Sequence, residues 1–236
     1  MLAVILAGGK GTRLEPYTTV FPKPMLPIGE KPILDIVIKQ LAYYGFEEII
    51  LSVGYLAELI QAYFQNTNNI PANIKLTYIR EKQPMGTAGS LSLIPKQKEP
   101  FLVINGDTLT TLNFAQLIEF HKMNKGFITI AMHKRHVNID FGVIHVDDNG
   151  KLIGYDEKPT LDYLVSMGIY VFESKVLKFI APFERLDFPE LVQIILAKGE
   201  KVQGYLTDEY WLDIGRHDDY ERAVKNYNEM KSKLLK

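Results

Sequence analysis

A buried strand and a glycine-rich turn are encoded together in residues 2–14, LAVILAGGKGTRL. The run at residues 2–6 has no polar position, which is typical of a strand covered on both faces in a parallel sheet. Three glycines follow at once, and glycines let the backbone bend and bring its N–H groups close to a phosphate chain. Arg13 adds a guanidinium that can donate two parallel hydrogen bonds to phosphate. The segment predicts a first strand that leads into an anion-binding loop.

Two familiar phosphate-binding loops do not fit this segment. A P-loop requires Ser or Thr after Gly-Lys, but Gly11 follows Lys10. The dinucleotide-binding turn requires a third glycine at the position of Leu14. An ordinary glycine-rich turn between a strand and a helix is the alternative that stays open.

A second cluster lies at residues 21–27, FPKPMLP, where Lys23 stands between two prolines. The prolines stiffen the backbone, so the lysine has little conformational entropy left to lose when it binds an anion. A solvated lysine in a proline-rich loop is the alternative. Because Arg13 and Lys23 are ten residues apart and both lie beside turn residues, each strengthens the assignment of the other.

The rest of the chain alternates predicted strands and helices. After the first strand, apolar spacing predicts helices over residues 32–41, 56–64, 88–94 and 114–123, and strands over residues 48–53, 74–79, 101–104 and 127–132. A hairpin around Asn149-Gly150 is predicted over residues 142–155, and further helices over 188–198 and from 218 to the C-terminus. The alternation predicts an α/β fold, a three-layer α/β/α Rossmann-like arrangement with a mixed, mainly parallel central sheet. We expect a single domain over residues 1–236, with residues 135–236 closing over the site.

Composition excludes several classes of protein. Lys and Arg total 27 against 28 Asp and Glu, so no overall charge attracts nucleic acid or an anionic membrane. The absence of cysteine excludes disulfides, zinc–cysteine sites and thiol catalysis, and it fits a reducing compartment. The apolar N-terminal run is too short for a signal peptide or a membrane span. We expect a cytoplasmic protein without nucleic-acid or membrane partners, and we leave open whether it forms a homo-oligomer.

Eight short motifs are spread over nearly the whole chain. They are GGKGTRL at 8–14, PKPM at 22–25, EKQPMGTAG at 81–89, NGD at 105–107, FGV at 141–143, EKP at 157–159, MGIY at 167–170 and WLDIG at 211–215. Together they resemble the signature of the sugar-1-phosphate nucleotidyltransferases, and most closely that of the mannose-1-phosphate guanylyltransferases. The first two motifs in combination are far more specific than either alone.

The resemblance implies an enzyme that joins a nucleoside triphosphate to a sugar 1-phosphate and releases pyrophosphate, with Mg²⁺ as cofactor. Residues 1–134 would form the nucleotide-binding half, and residues 135–236 the sugar-phosphate-binding half with the C-terminal helix. The implied catalytic set is Arg13, Lys23, Asp107 and Asp213, of which Asp107 and Asp213 would bind the metal. The implied nucleotide-binding set is Leu6, Ala7, Gly8, Gly9, Gly11, Thr12, Arg13, Lys23, Glu81, Pro84, Gly86, Thr87 and Gly106. The implied sugar-phosphate-binding set is Asp107, Gly142, Glu157, Lys158 and Gly168.

The metal assignment also has support from the residues themselves. Asp107 is expected to close a strand over residues 104–107, at the sheet edge where ligands of open α/β folds bind. Asp213 is expected on a later strand, and two carboxylates at strand ends suit a Mg²⁺ shared with substrate phosphates. Either residue could instead be an ordinary turn aspartate.

Glu81 is the candidate for reading the nucleobase, because the resembling family places this position near the base edge. An ionised carboxylate only accepts hydrogen bonds, and guanine offers two adjacent donors where uracil and thymine offer one. GTP is therefore favoured over UTP or dTTP, with mannose 1-phosphate or a related hexose or heptose as acceptor. Alternatively, Glu81 is a solvated loop residue paired with Lys82 or Arg80.

Two other functions stay open at this point. A catalytically silent homologue could sense nucleotide sugars, since a fold alone does not prove activity. The intact set of charged residues argues against it. A small-molecule kinase is disfavoured because the P-loop is missing.

Overall fold

The computed structural model describes residues 1–66, 69–81 and 83–235. Lys82, one of the two proposed partners of Glu81, lies outside the described residues. The strands are β1 (Leu2–Ala7), β2 (Pro27–Ile28), β3 (Lys31–Pro32), β4 (Glu48–Val53), β5 (Lys75–Arg80), β6 (Phe101–Asn105), β7 (Thr108–Thr110), β8 (Ile128–Asn138), β9 (Val143–Val146), β10 (Leu152–Asp156), β11 (Thr160–Phe172), β12 (Val202–Leu206) and β13 (Trp211–Asp213). The α-helices are α1 (Tyr17–Val20), α2 (Ile33–Tyr43), α3 (Ala57–Gln65), α4 (Gly86–Gly89), α5 (Phe114–Asn124), α6 (Phe188–Ala197) and α7 (His217–Leu234).

Seven strands form the central sheet in the order β12-β8-β11-β6-β1-β4-β5. The pairs of β1 with β4, β1 with β6, β4 with β5, and β8 with β12 are parallel, whereas β11 runs antiparallel to both β6 and β8. The predicted mixed, mainly parallel sheet is confirmed. The chain leaves β1 toward β4 and β5 and then returns to β6 on the other side. The crevice between β1 and β6 is therefore the topological switch point, where open α/β sheets bind ligands.

Helices cover both faces of the sheet because successive residues of its strands point to opposite sides. On β1, Ala3 and Ile5 belong to one core and Val4 to the other. The first core includes apolar side chains of α2, α3, α5 and α7, and the second includes those of α4 and α6. The predicted three-layer α/β/α arrangement is confirmed. Among the described helices, none has the length and apolar character needed to cross a bilayer.

Several predicted boundaries need correction. The strand that leads to Asp107 ends at Asn105, so Asp107 lies in the turn between β6 and β7. The predicted helix over 88–94 is a single α-helical turn from Gly86 followed by a 3-10 turn at Ser90–Leu93, shortly before Pro95. Proline restricts the residue before it and ends the helix there.

The largest difference lies in β8 and β11, which continue beyond the sheet as a two-stranded ribbon. The predicted strand over 127–132 extends to Asn138, and Lys134–Asn138 pairs with Thr160–Leu164. The ribbon residues are exposed, and the polar side chains of Lys134, Arg135 and His136 follow one another without alternation, so the sequence carries no burial pattern that would predict a strand. The predicted hairpin is confirmed as β9 and β10, which pair antiparallel.

Candidate active site

The glycine loop, residues 8–13, leaves the C-terminal end of β1 and is tied down on both sides. Gly8 O accepts a hydrogen bond from Tyr55 N (3.2 Å), and Gly11 O accepts one from Thr18 Oγ1 (2.8 Å). Gly11 has φ +66°, the left-handed region that favours glycine. The loop ends in a 3-10 turn in which Leu14 is buried and Arg13 is exposed. The buried Leu14 thus anchors the turn, and the exposed guanidinium of Arg13 is free to face a ligand.

The loop forms one wall of a cavity of about 490 Å³, which we call the glycine-loop cavity. It brings together most of the predicted nucleotide and metal residues: Leu6, Ala7, Gly8, Gly9, Gly11, Thr12, Arg13, Lys23, Glu81, Pro84, Gly86, Thr87, Asp107 and Asp213. Pro24, Ser90 and Asn105 complete the lining. Gly106 lies behind it, where its N–H donates to Leu6 O (2.9 Å) and a side chain would press on that carbonyl. Gly106 therefore joins β1 to the turn after β6.

Asp107 and Asp213 are held close together by backbone pairing. Asp213 lies opposite Thr108 in the β7–β13 pair, and Ile214 N donates to Asp107 O (3.1 Å). Lys23 Nζ donates to Asp107 Oδ2, and both side chains are largely buried. The other oxygen, Asp107 Oδ1, is buried without a hydrogen-bond partner among the described residues.

The electrostatics of this pair fit a cation. Burial raises the pKa of the Asp213 carboxyl above its ordinary value, and the negative charge of Asp107 raises it further, whereas Lys23 and Arg13 act in the opposite direction. An unpartnered carboxylate oxygen beside a second, partly buried carboxylate suits a hard divalent ion. Within the described ranges, no group of three or more His, Cys, Asp or Glu side chains could hold a metal. The remaining ligands would have to come from phosphate and water, as is usual for Mg²⁺.

Glu81 faces the cavity with both carboxylate oxygens engaged. Ser52 Oγ donates to Oε1 (3.0 Å), and Met85 N donates to Oε2 (3.2 Å). Gly8 is required beside it, because a Cβ on Gly8 would lie 2.7 Å from Glu81 Oε1. Arg80 pairs instead with Glu58 (2.5 Å), so it is not the partner of Glu81. Each carboxylate oxygen keeps a second lone-pair direction for a ligand.

The residues from Pro84 to Thr87 are anchored to the start of α6 by Asp187, which the sequence reasoning missed. Thr87 N donates to Asp187 Oδ1 (2.9 Å), and this hydrogen bond is the main cause of the lowered pKa of the Asp187 carboxyl. Asp187 also forms a capping box with Glu190. The sequence does carry a signal for the start of this helix, since Asp187-Phe-Pro-Glu190 before an apolar run has the spacing of a capping box.

Of the predicted sugar-phosphate-binding residues, Asp107 lines the glycine-loop cavity, and the other four do not. Gly142 precedes β9, and the space beside its backbone is filled by the hydroxyl of Tyr155. Glu157 and Lys158 follow β10 with exposed side chains, and Tyr155 Oη donates to Glu157 Oε2 (3.2 Å). Gly168, with φ +71°, lies against Asn105 of the cavity wall. The role of these residues in sugar binding stays a prediction.

A second cavity of about 520 Å³ adjoins the first and shares Arg13 and Asp213 with it. Its lining is Arg13, His133, Lys134, Arg135, His136, Trp211, Leu212, Asp213, Gly215, Arg216, Asp219 and Arg222. We call it the basic pocket. Apart from Arg13 of the glycine loop, its cations are Lys134 and Arg135 of β8, Arg216 just before α7 and Arg222 of α7. These four residues are distant in sequence and belong to none of the motifs, so no local pattern could have grouped them.

Comparisons with known proteins show the family to which this chain belongs. A family model described as "Nucleotidyl transferase" matches residues 2–230. A D-glycero-alpha-D-manno-heptose 1-phosphate guanylyltransferase from Campylobacter jejuni is 34% identical, over 96% of this chain and 100% of the relative. A UTP–glucose-1-phosphate uridylyltransferase from Synechocystis sp. and a mannose-1-phosphate guanylyltransferase from Mycobacterium tuberculosis are each 33% identical, over 95% and 94% of this chain. This chain spans about 63% of the length of each of these two relatives.

Among solved structures, HddC from Yersinia pseudotuberculosis complexed with GMP-PN superposes with a TM-score of 0.72. The sequence identity is 27%, and the match covers 96% of this chain and 99% of that chain. The similarity therefore extends over nearly all of both chains.

Proposed function

Because the chain belongs to the nucleotidyl transferase family, we propose that it is a sugar-1-phosphate nucleotidyltransferase, which transfers a nucleotidyl group from a nucleoside triphosphate to a sugar 1-phosphate and releases pyrophosphate. The observation that carries the proposal is the single cavity in which the glycine loop, Arg13 and Lys23 meet the Asp107–Asp213 pair. Backbone N–H groups and cations on one side, with two carboxylates on the other, form the environment that a triphosphate with its cation requires.

The chemistry needs no nucleophile from the protein. A phosphate oxygen of the sugar 1-phosphate attacks the α-phosphorus, the new P–O bond forms, and the bond from the α-phosphorus to the bridging oxygen of pyrophosphate breaks. The protein aligns the two substrates in line and neutralises their crowded negative charge. In this proposal, Arg13 and Lys23 donate hydrogen bonds to the α-phosphate and to the departing pyrophosphate. Single donors of this kind contribute roughly 2–4 kcal/mol to the transition state.

We propose Mg²⁺ as the cofactor, held by Asp107 and Asp213. When bound, the ion supplies charge neutralisation and a template for the phosphate oxygens. The buried, unpartnered Asp107 Oδ1 supports this assignment. Lys23 contacts the other oxygen of that carboxylate, Oδ2, which leaves Oδ1 as the oxygen that would hold the ion.

The sugar 1-phosphate is proposed to enter from the basic pocket. This pocket shares Arg13 and Asp213 with the glycine-loop cavity, so a phosphate bound at these two residues would lie beside the nucleotide. The favoured acceptors are mannose 1-phosphate and related hexose or heptose 1-phosphates. A cytoplasmic location stays a prediction, and whether the chain forms a homo-oligomer stays open.

GTP is the favoured nucleotide because Glu81 offers carboxylate lone pairs in the cavity and guanine offers two adjacent donors. UTP and dTTP are the alternatives, and the similarity to a uridylyltransferase keeps UTP in consideration.

A pyrophosphate-release screen tests the proposal directly. GTP, UTP, dTTP, CTP and ATP are each combined with a panel of sugar 1-phosphates in the presence of Mg²⁺. Release that requires both substrates is the expected result, and it is expected to be fastest with GTP. Nucleoside diphosphate as product would indicate a kinase instead. If no pair releases pyrophosphate although nucleotide sugars bind, the chain is a silent sensor and the proposal is wrong.

A further inference from the structure

The basic pocket carries more positive charge than one sugar phosphate requires. Its cationic lining is Arg13, Lys134, Arg135, Arg216 and Arg222, against the carboxylates of Asp213 and Asp219. His133 and His136 also line the pocket. The surplus belongs to this pocket and not to the whole protein, whose formal net charge is −1.

Part of this charge is neutralised within the protein. Lys134 Nζ lies 2.7 Å from Asp162 Oδ2, and His136 Nδ1 lies 2.5 Å from Asp162 Oδ1. Asp219 accepts a hydrogen bond from Arg216 N (3.0 Å) at the start of α7. Asp213 belongs to the pair with Asp107. The two lining carboxylates therefore offset only part of the charge of the five lining cations.

Three guanidinium groups stay unmatched. Arg135 of the ribbon, Arg216 before α7 and Arg222 of α7 form no ion pair within the part of the chain that the structure describes. All three are exposed and line the same pocket. Each presents several N–H donors in a fixed plane and has no acceptor. Such a wall matches carboxylate or phosphate, which can accept two parallel hydrogen bonds from each guanidinium.

A neutral sugar would use this wall poorly. Under the proposed function, its one phosphate lies at the junction with the glycine-loop cavity, beside Arg13. Its hydroxyl groups donate as well as accept, so they need acceptors that three arginines cannot supply. A neutral hexose or heptose offers the outer wall hydroxyl acceptors but no negative charge to pair with the three guanidinium groups.

On the premise of the proposed function, we propose that the sugar 1-phosphate carries a second anionic group, a carboxylate or phosphate away from the anomeric carbon, which Arg135, Arg216 and Arg222 bind. The arginines then determine sugar specificity and not the chemistry at the α-phosphorus. A free anion that only regulates the enzyme from this pocket is the competing outcome.

Matched sugar pairs test the proposal in the pyrophosphate-release assay. Glucose 1-phosphate is compared with glucuronic acid 1-phosphate, and mannose 1-phosphate with mannose 1,6-bisphosphate, each with the preferred nucleotide. We expect kcat/KM to be at least about tenfold higher for an anionic member than for its neutral partner, the size expected for one charged hydrogen-bonded contact. Arg135→Gln and Arg222→Gln should each reduce this selectivity ratio by about tenfold.

Arg80→Gln is the matched control, because Arg80 is an exposed guanidinium outside the pocket that pairs with Glu58. It removes the same charge and should leave the ratio unchanged. Equal kcat/KM within both pairs, or a ratio that neither pocket variant lowers, would overturn the proposal while turnover itself still supports the transferase. Inhibition or activation by free phosphate without preference for anionic sugars would assign the pocket to regulation and also overturn it. If no pair of nucleotide and sugar 1-phosphate releases pyrophosphate, the proposed function is wrong, and this inference is wrong with it.

Discussion

The residues Asp107 and Asp213 come together because β7 and β13 pair, although they are far apart in the sequence. Asp107→Asn and Asp213→Asn each remove a negative charge at nearly constant volume, so we expect the fold to persist and turnover to be nearly lost. Pyrophosphate release over a Mg²⁺ titration measures the effect, with circular dichroism as the check on folding. Turnover that a metal chelator does not lower, or that persists when both substitutions are combined, would contradict the two-carboxylate metal site.

Lys23 contacts Asp107 and is held in a 3-10 turn between two prolines. Since negative charge moves onto the departing pyrophosphate, Lys23→Ala should lower kcat by about 10²-fold or more and change the nucleotide KM far less. Steady-state kinetics separate the two parameters. Lys10→Ala is the control, because Lys10 is an exposed cation of the same glycine loop that does not line the cavity. A normal kcat with only a raised KM would show that Lys23 is a simple binding group.

Glu81 accepts hydrogen bonds from Ser52 and Met85, so it is fixed in the cavity wall and is not a solvated loop residue. Glu81→Gln replaces a charged acceptor with a neutral group that carries a mismatched donor. We expect kcat/KM for GTP to fall by the equivalent of about 1–3 kcal/mol, and for UTP to fall less. The nucleotide dependence decides the role. If Glu81→Gln lowers kcat/KM equally for GTP and for UTP, Glu81 positions the loop and does not contact the base.

At the scale of the elements, the contact between Thr87 of α4 and Asp187 at the start of α6 joins the two halves of the site. Asp187→Ala removes both the α6 cap and the acceptor of Thr87 N. We expect a loss of about 1 kcal/mol in the free energy of unfolding and a raised nucleotide KM. Urea unfolding and kinetics measure the two effects. Glu190→Ala is the matched control, because it removes only the other half of the capping box. If Glu190→Ala raises KM as much, the effect comes from α6 stability and not from the Thr87 contact.

Elements with a burial pattern could be predicted from the sequence, and elements without one could not. The run at residues 2–6 has no polar position, and the buried strand that it predicts is confirmed as β1. The ribbon residues Lys134–Asn138 have no apolar alternation, and their pairing with β11 is a tertiary effect that no local pattern encodes. The α-helix predicted over residues 88–94 ends at Gly89, because apolar spacing alone does not show where 3-10 geometry begins.

At the scale of the whole molecule, the site lies where the sheet topology places it. The glycine loop follows β1 and Asp107 follows β6, so the switch point between these neighbouring strands brings them to one crevice. The residues that line this crevice could be predicted because they belong to motifs rich in glycine or proline, which the sequence shows directly. The basic pocket could not be predicted, because Arg135 and Arg222 become neighbours only when the ribbon and α7 pack beside β13.

The stability of the whole molecule should depend on pH through His121, which is fully buried between α5 and the sheet. Its Nδ1 lies 2.8 Å from Thr129 Oγ1, and its Nε2 lies 3.4 Å from Glu173 Oε1. Burial lowers the pKa of His121 below its ordinary 6.5, although the charge of Glu173 opposes this and that of Lys122 reinforces it. The unfolded chain therefore binds the proton more readily, and stability should be lost as the pH falls through 6.5 toward the lower folded value. Urea unfolding near pH 7.5 and pH 5.5 measures this loss, and His121→Gln, which keeps a hydrogen-bonding group near Thr129, isolates the contribution of the imidazole. We expect wild type to lose more stability between the two pH values than the variant does; equal losses would mean that His121 binds its proton as readily in the folded chain as in the unfolded one.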